Sequence, residues 1–288
     1  VSPAELASSG LQEASGKPAA VRSASTRRRG PGLWTFRAAL PRRTEAAFAV
    51  FGSLAVLLLW EGSVRLGFSN PVFFPAPSTV LAALWRMLTQ QNLLWHAGVS
   101  TLRVWAAFAL ATVMAVPIGI LMSSYRAFGA AVEPIIDFIR YLPVPALVPL
   151  SIIWFGVGES TKIYLLWLGT FFQLVLLVSD DMRRVPQEYF EIASTLGAKP
   201  REALKHVAFR AMLPGLVDNL RITLGWCWTY LIIAEIVAAD SGIGFVIWTA
   251  RRYMKTPEVM AGVVVIGLIG LVTDQLLRAL HRRAFRYL

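Results

Sequence analysis

Charge is scarce in this sequence. Only 16% of its 288 residues are Asp, Glu, Lys or Arg, while 56% are hydrophobic, a balance too apolar for a typical water-soluble domain. Cysteine is scarcer still. Cys227 stands alone, so an intrachain disulfide and a cysteine-built metal site are both excluded, and its apolar neighbours mark it as a small buried hydrophobe. The three histidines, His96, His206 and His281, are too scattered for metal-ligand spacing. A phosphate-binding loop of the form Gly-x4-Gly-Lys-Ser/Thr is also missing. The run Gly156-Val157-Gly158-Glu159-Ser160-Thr161-Lys162 is only superficially similar to one. These absences argue against nucleotide binding, a resident metal or any cofactor on this chain. A membrane-embedded enzyme would need catalytic residues clustered at one depth, and no nucleophile–base constellation stands out.

What the sequence has in abundance is long apolar runs. Arg103 and Arg126 bracket 22 residues without formal charge, Arg140 and Glu159 bracket 18, and Lys162 and Asp180 bracket 17. Residues 222–239 are interrupted only by Glu235, and shorter runs cover 46–60 and 259–273. A helix of roughly 17–25 residues crosses a hydrocarbon layer about 30 Å thick. The reading is therefore an all-α, polytopic transmembrane helix bundle of about six spans, near 45–62, 99–122, 135–156, 163–178, 222–239 and 259–277. Twenty Lys and Arg fall on the side of the two termini and the 179–221 loop, against six in the opposite loops: Arg65, Arg86, Lys162, Arg251, Arg252 and Lys255. The positive-inside bias then places both termini in the cytoplasm. It also explains the formal charge of +11 as topology signals and contacts to anionic membrane lipid. A nucleic-acid footprint is not expected, because Arg27-Arg28-Arg29 lacks a folded basic module around it. Residues 1–44, basic and poor in large apolar side chains, are expected to form a disordered cytoplasmic tail ahead of the membrane domain at 45–288. With the first apolar run starting only at Ala46, a cleaved secretory signal is not expected.

Polar and proline punctuation marks candidate sites. After the first span, Asn70-Pro71-Val72-Phe73-Phe74-Pro75-Ala76-Pro77-Ser78 forbids a continuous helix. Ser78 is a candidate cap for a short amphipathic helix from Thr79 to about Thr89, lying on the outer surface or packed on the bundle. The third span opens Arg140-Tyr141-Leu142-Pro143-Val144-Pro145-Ala146-Leu147-Val148-Pro149. Its prolines strip carbonyls of helical partners, and such backbone must face protein or a wet cavity. Arg140, Tyr141, Pro143 and Pro145 are thus pathway candidates, with a kinked packing helix as the alternative. Arg140 reads either as an anion attractor or as a positive-inside anchor. Trp226 and Glu235 in the fifth span are further pathway or gate candidates. An acid there must be paired, protonated or wet, and Thr229 or Ser241 are the neighbours first considered for Glu235. An ion-coupled secondary transporter using Glu235 is the rival reading. Asp180 and Asp181 are expected to meet water or Arg183 and Arg184.

The most informative segment is the charged stretch 186–214. Pro186 suits a helix start, Gly197 suits a left-handed helix end, and Pro200 opens a second helix that should end near Pro214. Two short helices with a tight bend would then be tethered by spans four and five.

Within it, Glu191-Ile192-Ala193-Ser194-Thr195-Leu196-Gly197 resembles the Glu-Ala-Ala-x-x-x-Gly motif of ABC importer permeases, with Ile192 where the family has Ala. Phe74-Pro75-Ala76-Pro77-Ser78-Thr79-Val80, Pro145-Ala146-Leu147-Val148-Pro149-Leu150, Trp154-Phe155-Gly156-Val157-Gly158-Glu159, Leu224-Gly225-Trp226, Ala234-Glu235 and Ser241-Gly242-Ile243-Gly244 resemble the nitrate, bicarbonate, taurine and aliphatic-sulfonate subgroup, in order, over about 45–288. The resemblance implies a type I importer fold in a bacterial inner membrane. It implies a coupling role for Glu191, Ala193, Gly197, Ala198 and Pro200. The implied partners are a cytoplasmic ATPase dimer carrying the ATP and Mg, a periplasmic substrate-binding protein, and a second copy of the chain. The implied solute is a small anion.

Overall fold

The computed structural model describes residues 41–238 and 240–285. The chain divides into two compact units, Val1–Ala55 and Val56–Leu288. Of the first, residues 41–55 are described, and from Arg42 they form the opening half of helix α1 (Arg42–Arg65). The expected tail lies outside the described residues except for its last four positions.

In the second unit, α2 (Pro77–Gln90), α3 (Leu93–Ser124), α4 (Arg126–Ile139), α5 (Val148–Phe155) and α6 (Glu159–Arg183) follow the end of α1. Then come α7 (Gln187–Thr195), a helical turn α8 (Pro200–Glu202), α9 (Phe209–Ala238), α10 (Ile243–Arg252) and α11 (Thr256–Ala284). The described residues contain no strand. Among them, α1, α3, α6 and α11 are each long and apolar enough to cross a membrane, and the bent pair around Arg140 makes a fifth. The expected span at 222–239 is helical through Ala238 as part of α9.

The core forms where α6 lies between α3 and α9. Along α3, Ala107, Ala111, Ala115 and Gly119 recur every four residues and are all buried, so they form one face of the helix. A Cβ on Gly119 would lie 2.7 Å from the Val175 carbonyl and from the Val178 side chain. Small residues thus let α3 and α6 backbones approach closely, the usual solution where lipid removes the hydrophobic drive for helix pairing. Between α6 and α9, Gly169 leaves the room that the Tyr230 ring fills, 2.5 Å from where its Cβ would be. Leu165, Leu166, Leu224, Cys227 and Leu231 fill one end of this core, and Leu174, Val175, Val178, Met212 and Leu216 the other.

Two proline readings change. The helix expected to begin after Ser78 starts two residues earlier: Pro77 is its first residue, Ala76 its cap, and the Ser78 amide and hydroxyl both donate to Glu61 (3.0 and 2.8 Å). Pro214 does not end a helix. It sits inside α9, a helix of 30 residues; proline is tolerated within membrane helices.

Candidate coupling and pathway sites

The 186–214 hairpin is built by local backbone chemistry. Pro186 precedes α7 as its cap. At the far end Gly197 adopts φ +81°, its amide donates to the Ser194 carbonyl (2.9 Å), and the Ala198 amide donates to the Ala193 carbonyl (3.0 Å). This is the six-to-one, five-to-two closure that requires a left-handed residue after the helix. It explains why Gly197 stands four positions after Ala193, the buried inner residue of α7. The chain restarts with Pro200 as first helical residue and the Glu202 carboxylate accepting from the Lys199 amide (2.8 Å). A π-helical stretch, Ala203–Ala208, then merges into α9.

The outer face of α7 is bare. Tyr189, Ile192 and Leu196 are exposed, Leu196 by 83%, at a spacing that puts them on one stripe. Glu191 and Pro200 are exposed and Ala198 half-buried. Beneath the hairpin an open cavity of about 490 Å³ is lined by Ser123, Tyr125, Arg183, Phe190, Ser194 and Leu204.

The hairpin end is fastened to its surroundings. The Asn219 amide donates to Asp181 (2.7 Å), and Gly215 admits that carboxylate within 2.9 Å of where a Cβ would be. Asp181 is thus buried between α6 and α9, not solvated as expected. Arg183 grips Glu133 of α4 with both guanidinium nitrogens (2.8 and 3.2 Å). Arg221 links α9 to Asp274 of α11 (3.0 Å).

Between α4 and α5 the chain bends by 89°. The expected span 135–156 is thereby resolved into the end of α4, the turn 140–143, a 3-10 segment Val144–Leu147 and α5. Arg140 pairs with Asp137 (3.1 Å) and lies 4.6 Å over the Tyr141 ring. Arg140 and Trp226 line one small pocket together with Gln173 and Tyr230, while Tyr141 and Pro143 of the turn and Pro145 of the 3-10 segment are exposed and lie outside its lining. Glu235 is not part of that pocket.

Glu235 sits instead at the end remote from the hairpin, in a buried polar cluster. Its side chain is fully buried. One oxygen accepts from Ser100 Oγ (2.7 Å) and Arg103 Nη1 (2.8 Å), the other from the Gly244 amide (2.7 Å). Arg103, 3% exposed, also donates to Glu159 and to the carbonyl and hydroxyl of Ser241. Lys162 is equally buried and reaches Glu159 (2.8 Å) and Asp240 (3.5 Å). The Asp240 carboxyl, in the loop ahead of α10, is held below the usual carboxylate range by its own backbone amide, the Ser241 hydroxyl and the Lys162 charge. Ser100 accepts from the Ile243 amide (2.8 Å) and His96 Nδ1 from the Gly242 amide (3.1 Å). Gly242 has φ +105°, and a Cβ on it or on Gly244 would collide with Glu235. Ser241-Gly242-Ile243-Gly244 is therefore a loop shaped around one carboxylate, placed at the helix N-terminus where negative charge is favoured. Arg103 is the residue sequence reasoning missed: it served only to bound an apolar run. Thr229, considered as a partner, bonds its own helix at Gly225.

Known proteins now bear on this arrangement. Residues 111–286 match the family described as the binding-protein-dependent transport system inner membrane component. This chain belongs to that family. The taurine transport system permease protein TauC of Escherichia coli K12 is 35% identical over 238 residues, covering 81% of this chain and 86% of that protein. The bicarbonate transport system permease protein CmpB of Synechococcus elongatus is 28% identical, covering 82% and 88%. In fold, the MetNI methionine ABC transporter in an inward-facing conformation aligns with TM-score 0.53 at 21% identity, over 67% of this chain and 97% of that one. An amino acid ABC transporter aligns with TM-score 0.55 at 16% identity. The ABC importer permease fold and a multi-pass inner-membrane protein follow, as the sequence resemblance implied.

Proposed function

We propose that this chain forms the translocation pathway for a small anion of the sulfonate, taurine or bicarbonate kind, and that separate ATPase subunits drive it through the 186–214 hairpin. The relatives named for taurine and bicarbonate support the solute class. One observation carries the coupling role. The hairpin exposes an apolar stripe, Tyr189, Ile192 and Leu196, while its second limb runs without a break into α9, up to Glu235. A displacement at the stripe is thus delivered to the opposite end of the bundle, because a packed helix moves as a unit. Arg183–Glu133 offers a second route, from α6 into α4 and the bend at Arg140.

In this reading the hairpin and both termini face the cytoplasm, two copies of the chain enclose the pathway, and a binding protein delivers solute from the other side. Arg140, Trp226 and the exposed turn at Tyr141, Pro143 and Pro145 line the pathway. Glu235 holds the outer gate: its buried pairing with Arg103 and Gly244 suits a clasp and leaves it no free access for shuttling an ion, which counts against the ion-coupled alternative.

The experiment targets the stripe. Ile192→Asp with Leu196→Asp should leave the chain inserted and folded but remove its stoichiometric co-purification with the ATPase. An unchanged yield of ATPase with that variant would overturn the coupling assignment.

A further inference from the structure

The end of the bundle that carries the Glu235 cluster also carries a projecting tip between α10 and α11, Arg251-Arg252-Tyr253-Met254-Lys255. All five residues are exposed, Tyr253 by 72% and Met254 by 64%. Met254 takes φ +55°, a left-handed backbone that few non-glycine residues adopt. The turn that imposes this is closed by the Met254 amide donating to Arg251 (3.0 Å) and the Lys255 amide to Ala250 (3.0 Å). The tip is thus a fixed shape that pushes a thioether and a phenol outward.

Its charge is largely uncompensated. Among the described residues, Arg251 has the Trp248 ring, 4.8 Å away, and no ion pair. Arg252 has no ion-pair partner among the described residues, and Lys255 has a long contact to Glu258 (3.4 Å). Of the other cations assigned to this end, Arg86 is also exposed without an ion pair among the described residues, but two are compensated. Lys162 is buried between Glu159 and Asp240, and Arg65 pairs with Glu61 (2.6 Å). Three cations in five residues also oppose the positive-inside bias if this loop is translocated. Alongside the tip lies a cavity of about 260 Å³, whose lining includes Gln91, His96, Phe245, Tyr253 and the Lys255–Glu258 pair. Arg, Tyr and Met around a recess are the residue types concentrated at protein interfaces, and a patch of one sign selects a partner of the other.

We propose that residues 251–255 and the recess beside them form the docking face for an acidic surface of the soluble binding protein. This rests on the importer reading, in which that end faces outward. Tyr253 and Met254 supply the apolar centre, the two arginines and Lys255 steer and orient the partner, and contact at the tip reaches the Glu235 clasp through α10, whose first turn that carboxylate holds.

The test uses the full complex, permease pair with ATPase, in nanodiscs, and the binding protein that supports its uptake. Binding is measured as a function of salt for wild type, for Arg251→Glu with Arg252→Glu, and for Met254→Gly, which relieves the left-handed strain and so does not threaten folding. The expected results are an affinity loss of about tenfold or more with a flatter salt dependence in the charge-reversed variant, and weaker binding in Met254→Gly. Basal ATP hydrolysis should be unchanged in both. Unchanged affinity in both variants overturns the proposal. So does a loss confined to binding of phosphatidylglycerol-containing vesicles, which would make the tip a lipid contact, or a split of the permease pair, which would make it a contact between copies. A wild-type complex that binds no binding protein at all overturns the importer reading and this inference together.

Discussion

Arg103 and Glu235 show how a pair of buried charges is made tolerable. Glu235 accepts from two helices, α3 and α10, and Arg103 donates to α6, α9 and the Ser241 loop. Removing one partner leaves the other charged and dry, at a cost of about 3–5 kcal/mol, whereas replacing both by apolar groups costs much less. Glu235→Leu and Arg103→Leu should therefore each lower the unfolding midpoint of the detergent-purified protein strongly, and the double variant should recover part of the loss. Strict additivity would mean that the two charges are independent. Gly197 works differently. No atom lies within 4 Å of its Cβ position, so a substitution there meets only backbone strain, on the order of 1–3 kcal/mol. Gly197→Val should reduce ATP-dependent uptake by about tenfold or more, while Gly197→Asn, which tolerates the left-handed region, should retain most of it. Equal uptake by all three proteins would refute the role assigned to the bend. The two residues also differed in how readable they were. Gly197 answers to chemistry within six positions, so the sequence exposed it. Arg103 and Glu235 are 132 positions apart, and no local pattern joins them.

At the scale of elements, apolar length located α1, α3, α6 and α11 well, because the thickness of a membrane fixes what a span must be. It failed where packing overrides local propensity. Pro214 reads as a stop, yet α9 passes through it. Asp181 reads as a solvated helix end, yet Asn219 and the space left by Gly215 bury it. Ser78 reads as a cap, yet it serves Glu61. The link from α6 to the bent α4–α5 segment rests on Arg183 and Glu133, both partly exposed, so its worth to stability is small. Its worth to coupling is the testable part. Glu133→Arg should uncouple ATP hydrolysis from uptake severalfold with little change in thermal stability, and the charge-swapped pair Glu133→Arg with Arg183→Glu should restore coupling. If the swap fails to restore it, the bridge is not a transmission point.

For the molecule as a whole, the arrangement separates three tasks. One end carries the hairpin with its exposed apolar stripe, the proposed contact for a partner; the middle interrupts its helices at Arg140 to Pro145; and the other end closes around Glu235. Family membership and fold were legible beforehand because short motifs recur in order along most of the chain. The clasp that ties α3, α6, α9 and α10 together was not, since it exists only once those helices are packed. The central claim is that the force comes from outside this chain, and vesicle transport tests it most directly. Proteoliposomes holding the purified chain alone, under proton or sodium gradients, should accumulate no taurine, sulfonate or bicarbonate, and adding the ATPase, ATP and the binding protein should start accumulation. Uptake against a gradient by the chain alone would contradict the account.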